Sequence, residues 1–564
     1  MKINYVRIEN FRNFQFLETN LSKLSIIIGE NDSGKSNFLH ALKLPLSINE
    51  LEYRSKRLVP SDFNSEAIKV FYKTLQAKPN NILDITRSIP IIKITLRFDD
   101  ITLPYEKSIV NNWLTEVDGK AAYEIQYVFK PKSEADFIAY AREQMGKYKE
   151  ESEDFSFLIP VELYDYTIIS TDNGKLIPYI ELKNITINSI NAERDDFSES
   201  NSMKSNSLLT KLLEKKLNEK EKINIYLAYS AFFNEIKEQE NFKKIFTQDP
   251  QFPSLNNFIK EIDCIPNLAN LKNILSNITL GYGDEFLYQK GLGQRNLIFI
   301  LLFFQHFKDN EAYFNLSCIE EPEAHLSTNN LNLIIDYINK SISKSKNLFQ
   351  TIITTHRPEV INKLDFKNVI AFSGNKAISF ADVDETLLKY LGKRPNFDIL
   401  KLLFSNRVIL VEGPTEEMFI NTILNLNKDI LQNIDVISIG HKGFKTFLDV
   451  WIKLNSGNNL KKIGIIRDFD NQPKAKNEHN AYDDDNTIFV RTTTGYTLED
   501  DIATTENNGE IISNYFLLDG AEEVSGYLKA SKAENMINLC NSIQDKNIEI
   551  IVPNHIKEVL MKLI

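Results

Sequence analysis

A glycine-rich turn near the amino end constrains the fold of this 564-residue sequence more than any other feature. Residues 29–36 read GENDSGKS, and they follow an apolar segment, residues 25–28, that is typical of a buried strand. Glycines let backbone N–H groups wrap around an anion, and a helix that begins directly after the turn points its positive end at the same place. The pattern G-x-x-x-x-G-K-[ST] between a strand and a helix predicts a P-loop in an α/β domain.

Four residues of this turn are predicted to hold a nucleotide. The Lys35 ammonium would reach the β- and γ-phosphates, and the Ser36 hydroxyl would bind Mg²⁺. Backbone groups around Asn31 and Gly34 would contact the phosphates, so ATP with Mg²⁺ is the expected cofactor. The alternative is a chance glycine-rich turn, which would need neither the strand before it nor the helix after it.

A second apolar segment, residues 315–319, ends in the acidic sequence EEPEAHL. A carboxylate at the tip of a strand can hold the Mg²⁺ shell, and the next one can accept a proton from the attacking water. We therefore assign Glu320 to the metal and Glu321 to the base. The alternative, two solvated surface acids, does not account for the apolar strand that leads into them.

Two further segments fit the same chemistry. The segment at 351–355 leads to His356, which we predict to sense the γ-phosphate, although a lone histidine at a strand end is commonly structural. The segment KGLGQRN at 290–296 precedes a long apolar helix. Glycines that open a helix form an anion site, which assigns Gly291 and Gly293 to nucleotide binding.

Carboxylates also follow two apolar segments in the C-terminal part of the chain. Residues 408–411 lead to Glu412, and residues 463–466 lead to Asp468 and Asp470. Parallel strands would bring these acids to one carboxyl edge, where open α/β sheets bind ligands. Clustered carboxylates favour a hard cation, so the sequence predicts Mg²⁺ or Mn²⁺ at this edge rather than zinc.

More charged residues lie close to this predicted metal site. Glu416 is a further candidate ligand, and Glu499 could complete a two-metal arrangement. For Glu416, Asp500 and Asp501 taken alone, capping and solubility explain the sequence equally well. Several basic residues could hold phosphates, although such dispersed charge commonly forms a solvated surface: Lys442, Lys445, Lys461, Lys462 and Arg467.

Composition excludes several other classes. A net charge of −11 and a pI near 5.4 do not favour a generally basic nucleic-acid binder, but they fit metal-binding carboxylates or a solvated surface. Cys264, Cys318 and Cys540 are too few for a disulfide framework or a zinc site, which favours a reducing cytoplasm. No apolar run approaches the roughly 20 residues that span a bilayer, so no membrane association is expected.

The chain is predicted to contain an α/β ATPase domain at 1–400 and a second α/β domain at 401–564. Leucines at helical spacing within 198–275 predict a helical insertion in the first domain, suited to dimerisation. In the second domain, the polar and charged stretch 471–486 is predicted to be a mobile loop.

In chain order, the P-loop, GLGQ, EEPEAHL and TTH segments resemble an ABC-type ATPase of the RecF and SMC kind, as does NFRNF at 10–14. The resemblance implies that two subunits sandwich ATP, with the GLGQ segment of one facing the P-loop of the other. Lys290 departs from the pattern, because the family usually has serine before the first glycine. This departure concerns the efficiency of hydrolysis rather than nucleotide binding.

The second domain resembles a Toprim (Rossmann-like) domain, which has a strand-end Glu-Gly and a later Asp-x-Asp, here at 412–413 and 468–470. An ABC-type ATPase followed by Toprim resembles the OLD (overcoming lysogenization defect) family of endonucleases. Within this family, the sequence most resembles the Gabija-type or retron-associated phage-defence nucleases in its motifs and length. This resemblance implies an essential C-terminal lysine, for which Lys532 fits best and Lys529 is the rival.

The resulting hypothesis is a cytoplasmic, ATP-binding, metal-dependent DNA endonuclease or nickase with an associated ATPase, acting against phage with nucleotide-gated cleavage. Glu412, Asp468, Asp470 and Glu499 would bind the metal, and Lys532 would stabilise the pentavalent phosphate. The resemblance implies double-stranded DNA as substrate and a dimer or tetramer formed through the ATPase domain and the insertion. It also implies a defence partner, either a helicase-like protein or a retron reverse transcriptase with its DNA.

Two alternatives belong to other classes. The first is a DNA-clamping ATPase of the RecF and SMC kind that acts in DNA repair with little or no nuclease activity. The joint presence of Glu412, Asp468 and Asp470 argues against an inert second domain. The second is a topoisomerase- or primase-like enzyme, for which the sequence shows neither a DNA-capture domain nor the cysteines of a zinc module.

Overall fold

The computed structural model of the chain describes most of its residues in two compact units. The larger unit comprises Met1–Ile187 with Gln350–Ile564, and the smaller comprises Asn188–Phe349. The described ranges are 1–46, 58–77, 82–147, 159–183, 185–190, 208–244, 271–308, 314–344, 349–373, 376–383, 385, 388–389, 398–440, 443–455 and 460–564.

The first segment of the larger unit is mainly an antiparallel sheet. Its described strands are β1 (Lys2–Phe11), β2 (Phe14–Asn20), β3 (Leu24–Gly29), β4 (Ile92–Asp99), β5 (Leu114–Val117), β6 (Lys120–Pro131), β7 (Tyr164–Ser170) and β8 (Ile185–Ile190), the last three residues of which belong to the smaller unit. The sheet runs in the order β2-β1-β4-β6-β5, and β7 also pairs with β6. The helices of this segment are α1 (Lys35–Leu46), α2 (Ser65–Gln76), α3 (Ile82–Ser88), α4 (Pro104–Ile109), α5 (Glu134–Lys147) and α6 (Tyr179–Leu182).

The smaller unit is mainly helical. Its described helices are α7 (Leu208–Lys216), α8 (Glu219–Glu238), α9 (Glu240–Lys244), α10 (Leu271–Leu275), α11 (Leu292–Lys308) and α12 (Thr328–Lys344). Its short strands are β9 (Gly281–Tyr282) and β10 (Glu285–Phe286), and a buried strand, β11 (Phe314–Glu320), follows α11. The predicted insertion at 198–275 is largely helical where it is described, whereas 198–207 and 245–270 lie outside the described residues.

The second segment of the larger unit adds strands on both sides of β3. These are β12 (Phe349–Thr354) and β13 (Val369–Ser373), both parallel to β3, and β14 (Lys376–Ser379), antiparallel to β13. Helix α13 (Pro358–Lys363) follows β12. All six residues of β3 are buried, which explains why its sequence, apart from Ser25, does not alternate between apolar and polar residues.

The C-terminal part of the larger unit contains a four-stranded parallel sheet in the order β16-β15-β17-β18. Its strands are β15 (Arg407–Val411), β16 (Ile434–Ser438), β17 (Lys462–Arg467) and β18 (Ile488–Thr492). The helices are α14 (Ile399–Phe404), α15 (Pro414–Leu426), α16 (Phe444–Asn455), α17 (Pro473–Asn480), α18 (Leu498–Thr504), α19 (Asn508–Phe516), α20 (Glu523–Ala530), α21 (Lys532–Gln544) and α22 (Asn554–Leu563).

The observed elements confirm one prediction from the sequence and contradict another. The parallel strands flanked by helices confirm the predicted α/β class. The prediction of one mobile loop over 471–486 is wrong, because α17 forms inside this stretch, with Pro473 in its first turn, and Asp484 accepts hydrogen bonds from the backbone at 486–488. In the described parts of the chain, no helix is long and apolar enough to cross a bilayer.

Candidate nucleotide and metal sites

The turn between β3 and α1 has the backbone of an anion-binding loop. Asp32 and Gly34 have positive φ angles of 66° and 93°, and α1 begins directly afterwards. A Cβ at Gly34 would lie 2.3 Å from Asn13 Nδ2 and 2.5 Å from Phe14 Cζ. Only glycine fits there, because Asn13 and Phe14 of the NFRNF segment pack directly against this turn.

Lys35 lies folded against this turn. Its Nζ donates to Gly29 O at 2.9 Å and to Glu30 O at 2.8 Å, and its side chain is buried. The oxygens of a polyphosphate carry full charge and are stronger acceptors for an ammonium than backbone carbonyls. Nucleotide binding would therefore move the Lys35 ammonium away from these carbonyls.

The predicted γ-phosphate sensor lies at the same sheet edge as the turn. Strand β12 runs parallel to β3 with Thr354 opposite Ile27, and Thr355 N donates to Ile27 O at 3.2 Å. His356 comes next and is half-buried. The structure thus brings His356 to the carboxyl edge of the P-loop strand.

In the smaller unit, the GLGQ segment packs against the acidic turn. Strand β11 ends at Glu320, and Glu321 has a positive φ of 42°. Asn296 Nδ2 donates to Ala324 O at 2.7 Å, and a Cβ at Gly293 would lie 2.7 Å from His325 O. Because residue 293 has no side chain, the start of α11 can approach the backbone that follows the predicted metal and base residues.

Lys290, which stands where a serine was expected, has a local partner. Its Nζ lies 2.7 Å from Glu285 Oε2 and 5.8 Å from the centre of the Tyr282 ring. Since its charge is paired within the smaller unit, Lys290 would have to break this contact before it could meet a phosphate.

The second predicted site lies at the carboxyl edge of the C-terminal sheet. Glu412 follows β15 and Asp468 follows β17, and both are buried, at 6% exposed. The Asp468 backbone N–H donates to Glu412 Oε1 at 3.2 Å, and Asp468 Oδ1 accepts from Leu498 N at 2.9 Å. Neighbouring parallel strands therefore bring these two acids together, as the sequence predicts. Asp470 follows with a positive φ of 49°.

Lys532 joins this edge from the start of α21. Its Nζ lies 3.1 Å from Glu499 Oε1 and 3.4 Å from Glu416 Oε1, and both carboxylates are buried. Lys529 instead pairs with Asp500 at 2.5 Å. We call Glu412, Glu416, Asp468, Asp470 and Glu499 the acidic cluster. Of the two rival lysines, Lys532 is the one that contacts it.

The charge of this cluster shifts several pKa values. Burial, followed by the nearby carboxylates of Glu416 and Glu412, raises the pKa of Asp468 to about 8. Burial and the charge of Asp470 raise the pKa of Glu412 above its usual range. Burial lowers the pKa of Lys532, but the surrounding acids outweigh it and leave that pKa raised. Such an excess of buried negative charge is what a bound cation would relieve.

The acids fit a divalent cation by charge and ligand type, but not yet by arrangement. Glu499 is 0% exposed, and its Oε2 has no hydrogen-bond partner. Oxygen ligands with net negative charge suit Mg²⁺ or Mn²⁺. Among the described residues, however, no three acidic, histidine or cysteine side chains already converge as a metal-binding group. The ammonium of Lys532 lies between two of the carboxylates, which would have to reorient around a metal.

The other two acids of α18 have structural partners. Asp500 accepts from Ser525 Oγ at 2.5 Å and from Thr497 N at 3.0 Å. Asp501 accepts from Thr494 N at 2.8 Å and lies 2.9 Å from His555 Nδ1. Capping therefore accounts for Asp500, whereas Asp501 holds the preceding loop and His555, and of these three acids only Glu499 faces the site. Sequence reasoning missed His555, because nothing along the chain links the final helix to α18.

The basic residues that the sequence suggested as phosphate contacts lie in different surroundings. Arg467 is buried, with Nε on Asp468 O at 3.1 Å and Nη1 2.9 Å from His479 Nδ1. Lys462 and Lys461 lie at the amino end of β17, opposite the acids. Lys445 pairs with Glu478 at 2.8 Å, and Lys442 lies outside the described residues.

Comparison with known proteins gives two family matches and several relatives. A family model described as an AAA ATPase domain matches residues 1–361, and one described as an overcoming lysogenization defect protein-like TOPRIM domain matches residues 403–470. A protein of Bacillus cereus strain HuB5-5, named Endonuclease GajA, is 25% identical over 498 residues, covering 76% of this chain and 69% of that protein. A protein of the same name from strain VD045 is 24% identical over 451 residues, covering 75% and 68%.

Solved structures give only a weak likeness. The Smc head domain of Pyrococcus furiosus, with an extended coiled coil and bound to the C-terminal domain of ScpA, is 13% identical to this chain. It covers 69% of this chain and 98% of its own length, with a TM-score of 0.33, which is too low to support an argument.

Proposed function

We propose that this chain, which belongs to the AAA ATPase domain family and carries an OLD-like Toprim domain after it, is a divalent-metal-dependent DNA endonuclease or nickase of the OLD type. The observation that carries this proposal is the cluster of buried carboxylates with Lys532 at the carboxyl edge of the C-terminal sheet. Two relatives bear the name endonuclease, which supports the same activity here. Double-stranded DNA is the proposed substrate, and antiphage defence the proposed role.

Five acids would hold the metal: Glu412, Glu416, Asp468, Asp470 and Glu499. A bound Mg²⁺ or Mn²⁺ supplies positive charge to the attacking and leaving oxygens of a phosphodiester. Of these acids, Asp468 is also anchored by its Oδ1 contact with the α18 backbone, which limits its freedom to turn away. Lys532 would place its ammonium on the phosphate, and the carboxylates of Glu416 and Glu499 that it contacts would then be available to hold a cation.

The ATPase domain would bind ATP with Mg²⁺ and control cleavage. In the larger unit, Lys35, Ser36, Gly34 and Asn31 would hold the phosphates, and His356 would sense the third one. In the smaller unit, the predicted roles are anion binding by Gly291 and Gly293, Mg²⁺ binding by Glu320 and proton acceptance by Glu321. We further propose that copies of the protein associate through this domain. A second protein from a defence system is proposed as its partner.

The experiment that tests the nuclease follows conversion of supercoiled plasmid to nicked and linear forms. Mg²⁺, Mn²⁺ and ATP are varied independently, and chelation by EDTA should abolish conversion. Glu412→Ala removes a buried ligand and should reduce the rate at least about 100-fold, whereas Asp485→Ala, at an exposed acid of the same domain, should cleave normally. Cleavage that survives EDTA, or normal cleavage by Glu412→Ala, would contradict the proposal.

A further inference from the structure

A buried lysine of the C-terminal domain reaches the P-loop. Lys461 directly precedes β17, and its side chain is only 4% exposed. Its Nζ forms an ion pair with Oε1 of Glu30, the second residue of the GENDSGKS turn. The two residues are 431 positions apart in the sequence, so this contact exists only because the fold joins the two domains.

Lys461 depends on this contact for its charge balance. Its ammonium also donates to Phe404 O at 3.0 Å and Leu403 O at 3.5 Å, at the end of α14. Backbone carbonyls satisfy its donors but do not neutralise its charge, and a buried ammonium without a counter-ion is costly. Among the described residues, Glu30 is the one carboxylate that pairs with it.

Glu30 is connected to both sites. Its side chain holds Lys461, while its backbone carbonyl accepts from Lys35 Nζ at 2.8 Å. When a nucleotide draws the Lys35 ammonium onto its phosphates, the carbonyl of Glu30 loses this partner. The Glu30 carbonyl keeps the backbone N–H of Ser33 as a donor, at 3.2 Å, but Glu30 is then held by fewer contacts, and this affects its ion pair with Lys461.

Strand β17 continues from Lys461 to the acidic cluster. It ends just before Asp468, about 20 Å away at the rise of an extended strand. It pairs with β15 on one side and β18 on the other. At Gly464 a Cβ would lie only 2.3 Å from Val559 Cγ1 of α22. A strand held this closely cannot absorb a displacement at one end by local repacking.

From these contacts we infer that the Glu30–Lys461 ion pair couples nucleotide occupancy of the P-loop to the carboxylates at the end of β17. The inference rests on the proposed function, since it assumes a nucleotide at one end and a nuclease site at the other. It assigns the regulation of cleavage to one charged contact. By linkage, the same contact must influence nucleotide affinity, even when no DNA is present.

The test is a double-mutant cycle on nucleotide affinity. Lys461→Met removes the charge and keeps the length of the side chain, and Glu30→Gln removes the opposite charge. With a fluorescent ATP analogue and no DNA, Lys461→Met should change the affinity about five-fold or more. In the Glu30→Gln background the same Lys461→Met change should have no effect, because the pair is already broken.

Lys462→Met is the matched control, since the neighbouring lysine donates to Lys562 O and does not contact the P-loop. It should bind the analogue as the unchanged protein does. Thermal unfolding of each variant identifies any failure to fold, in which case Glu30→Gln, on a half-exposed side chain, still reports on the pair.

Plasmid cleavage with and without ATP provides the second readout. In the unchanged protein the two rates should differ, and in Lys461→Met and Glu30→Gln their ratio should move towards one. An unchanged ratio in both variants, or an effect of Lys461→Met that persists in the Glu30→Gln background, would overturn the inference. Absence of cleavage in every protein would refute the proposed function, while the affinity cycle would still show whether the ion pair acts on the nucleotide site.

Discussion

Lys529 and Lys532 are three positions apart, but the chain turns between them. Helix α20 ends at Ala530 and α21 begins at Lys532, so the two side chains contact different acids. We predict that Lys532→Ala lowers the nicking rate about 100-fold or more, because a cation aimed at the developing charge is lost. DNA affinity should stay within about two-fold, since one charge contributes little to overall binding. Lys529→Ala is the control, and equal small effects on the rate would exclude Lys532.

The raised pKa of Asp468 predicts how stability depends on pH without metal. Its pKa rises from the ordinary 3.8 to about 8, so the folded protein holds a proton there that the unfolded chain has released. Between about pH 4 and pH 8 the free energy of unfolding should therefore fall as the pH rises. In EDTA, Asp468→Asn should show a smaller fall over this window, because the amide does not titrate. Identical slopes for both proteins would contradict the assigned shift.

The P-loop turn depends on one residue, Gly34. Gly34→Ala faces both a positive φ of 93° and side-chain atoms within 2.5 Å, so we predict loss of nucleotide binding. Gly119→Ala is a matched control, since Gly119 also has a positive φ, 73°, but has no atom within 4 Å of its Cβ position. It should lower the free energy of unfolding by about 1 kcal/mol and leave nucleotide affinity unchanged. Equal effects of both changes on affinity would show that steric exclusion at Gly34 is unimportant.

Elements buried on both faces were predictable from sequence, and contacts between distant elements were not. Strands β3 and β15 are mostly apolar, with Ser25 and Arg407 as the exceptions, and each leads directly into a predicted site. Helix α17 was missed because its sequence PKAKNEHN is almost entirely polar, so no apolar periodicity marks it. The Glu30–Lys461 and Asp501–His555 pairs were missed for a different reason. Their partners meet only after the chain has folded, and neither sequence neighbourhood identifies the other.

The two candidate sites lie in separate sheets and use different side chains. The P-loop follows β3, whereas the acidic cluster follows β15 and β17. The sites should therefore separate by mutation, even if nucleotide modulates cleavage. Lys35→Ala removes the main point charge on the β- and γ-phosphates and should lower nucleotide affinity at least about ten-fold. Lys43→Ala, in the last turn of the same helix, is the control for general effects on α1.

Asp468→Ala should give the reverse pattern, because it removes a buried carboxylate from the opposite site. We predict loss of plasmid cleavage with nucleotide affinity within about two-fold of the unchanged protein, since the P-loop keeps all its residues. Both variants are measured with the fluorescent ATP analogue and with supercoiled plasmid in Mg²⁺ or Mn²⁺. Near-normal cleavage by Asp468→Ala would refute the assignment of the acidic cluster. A large loss of nucleotide affinity in the same variant would mean that the acidic cluster acts on the P-loop more strongly than one ion pair can transmit.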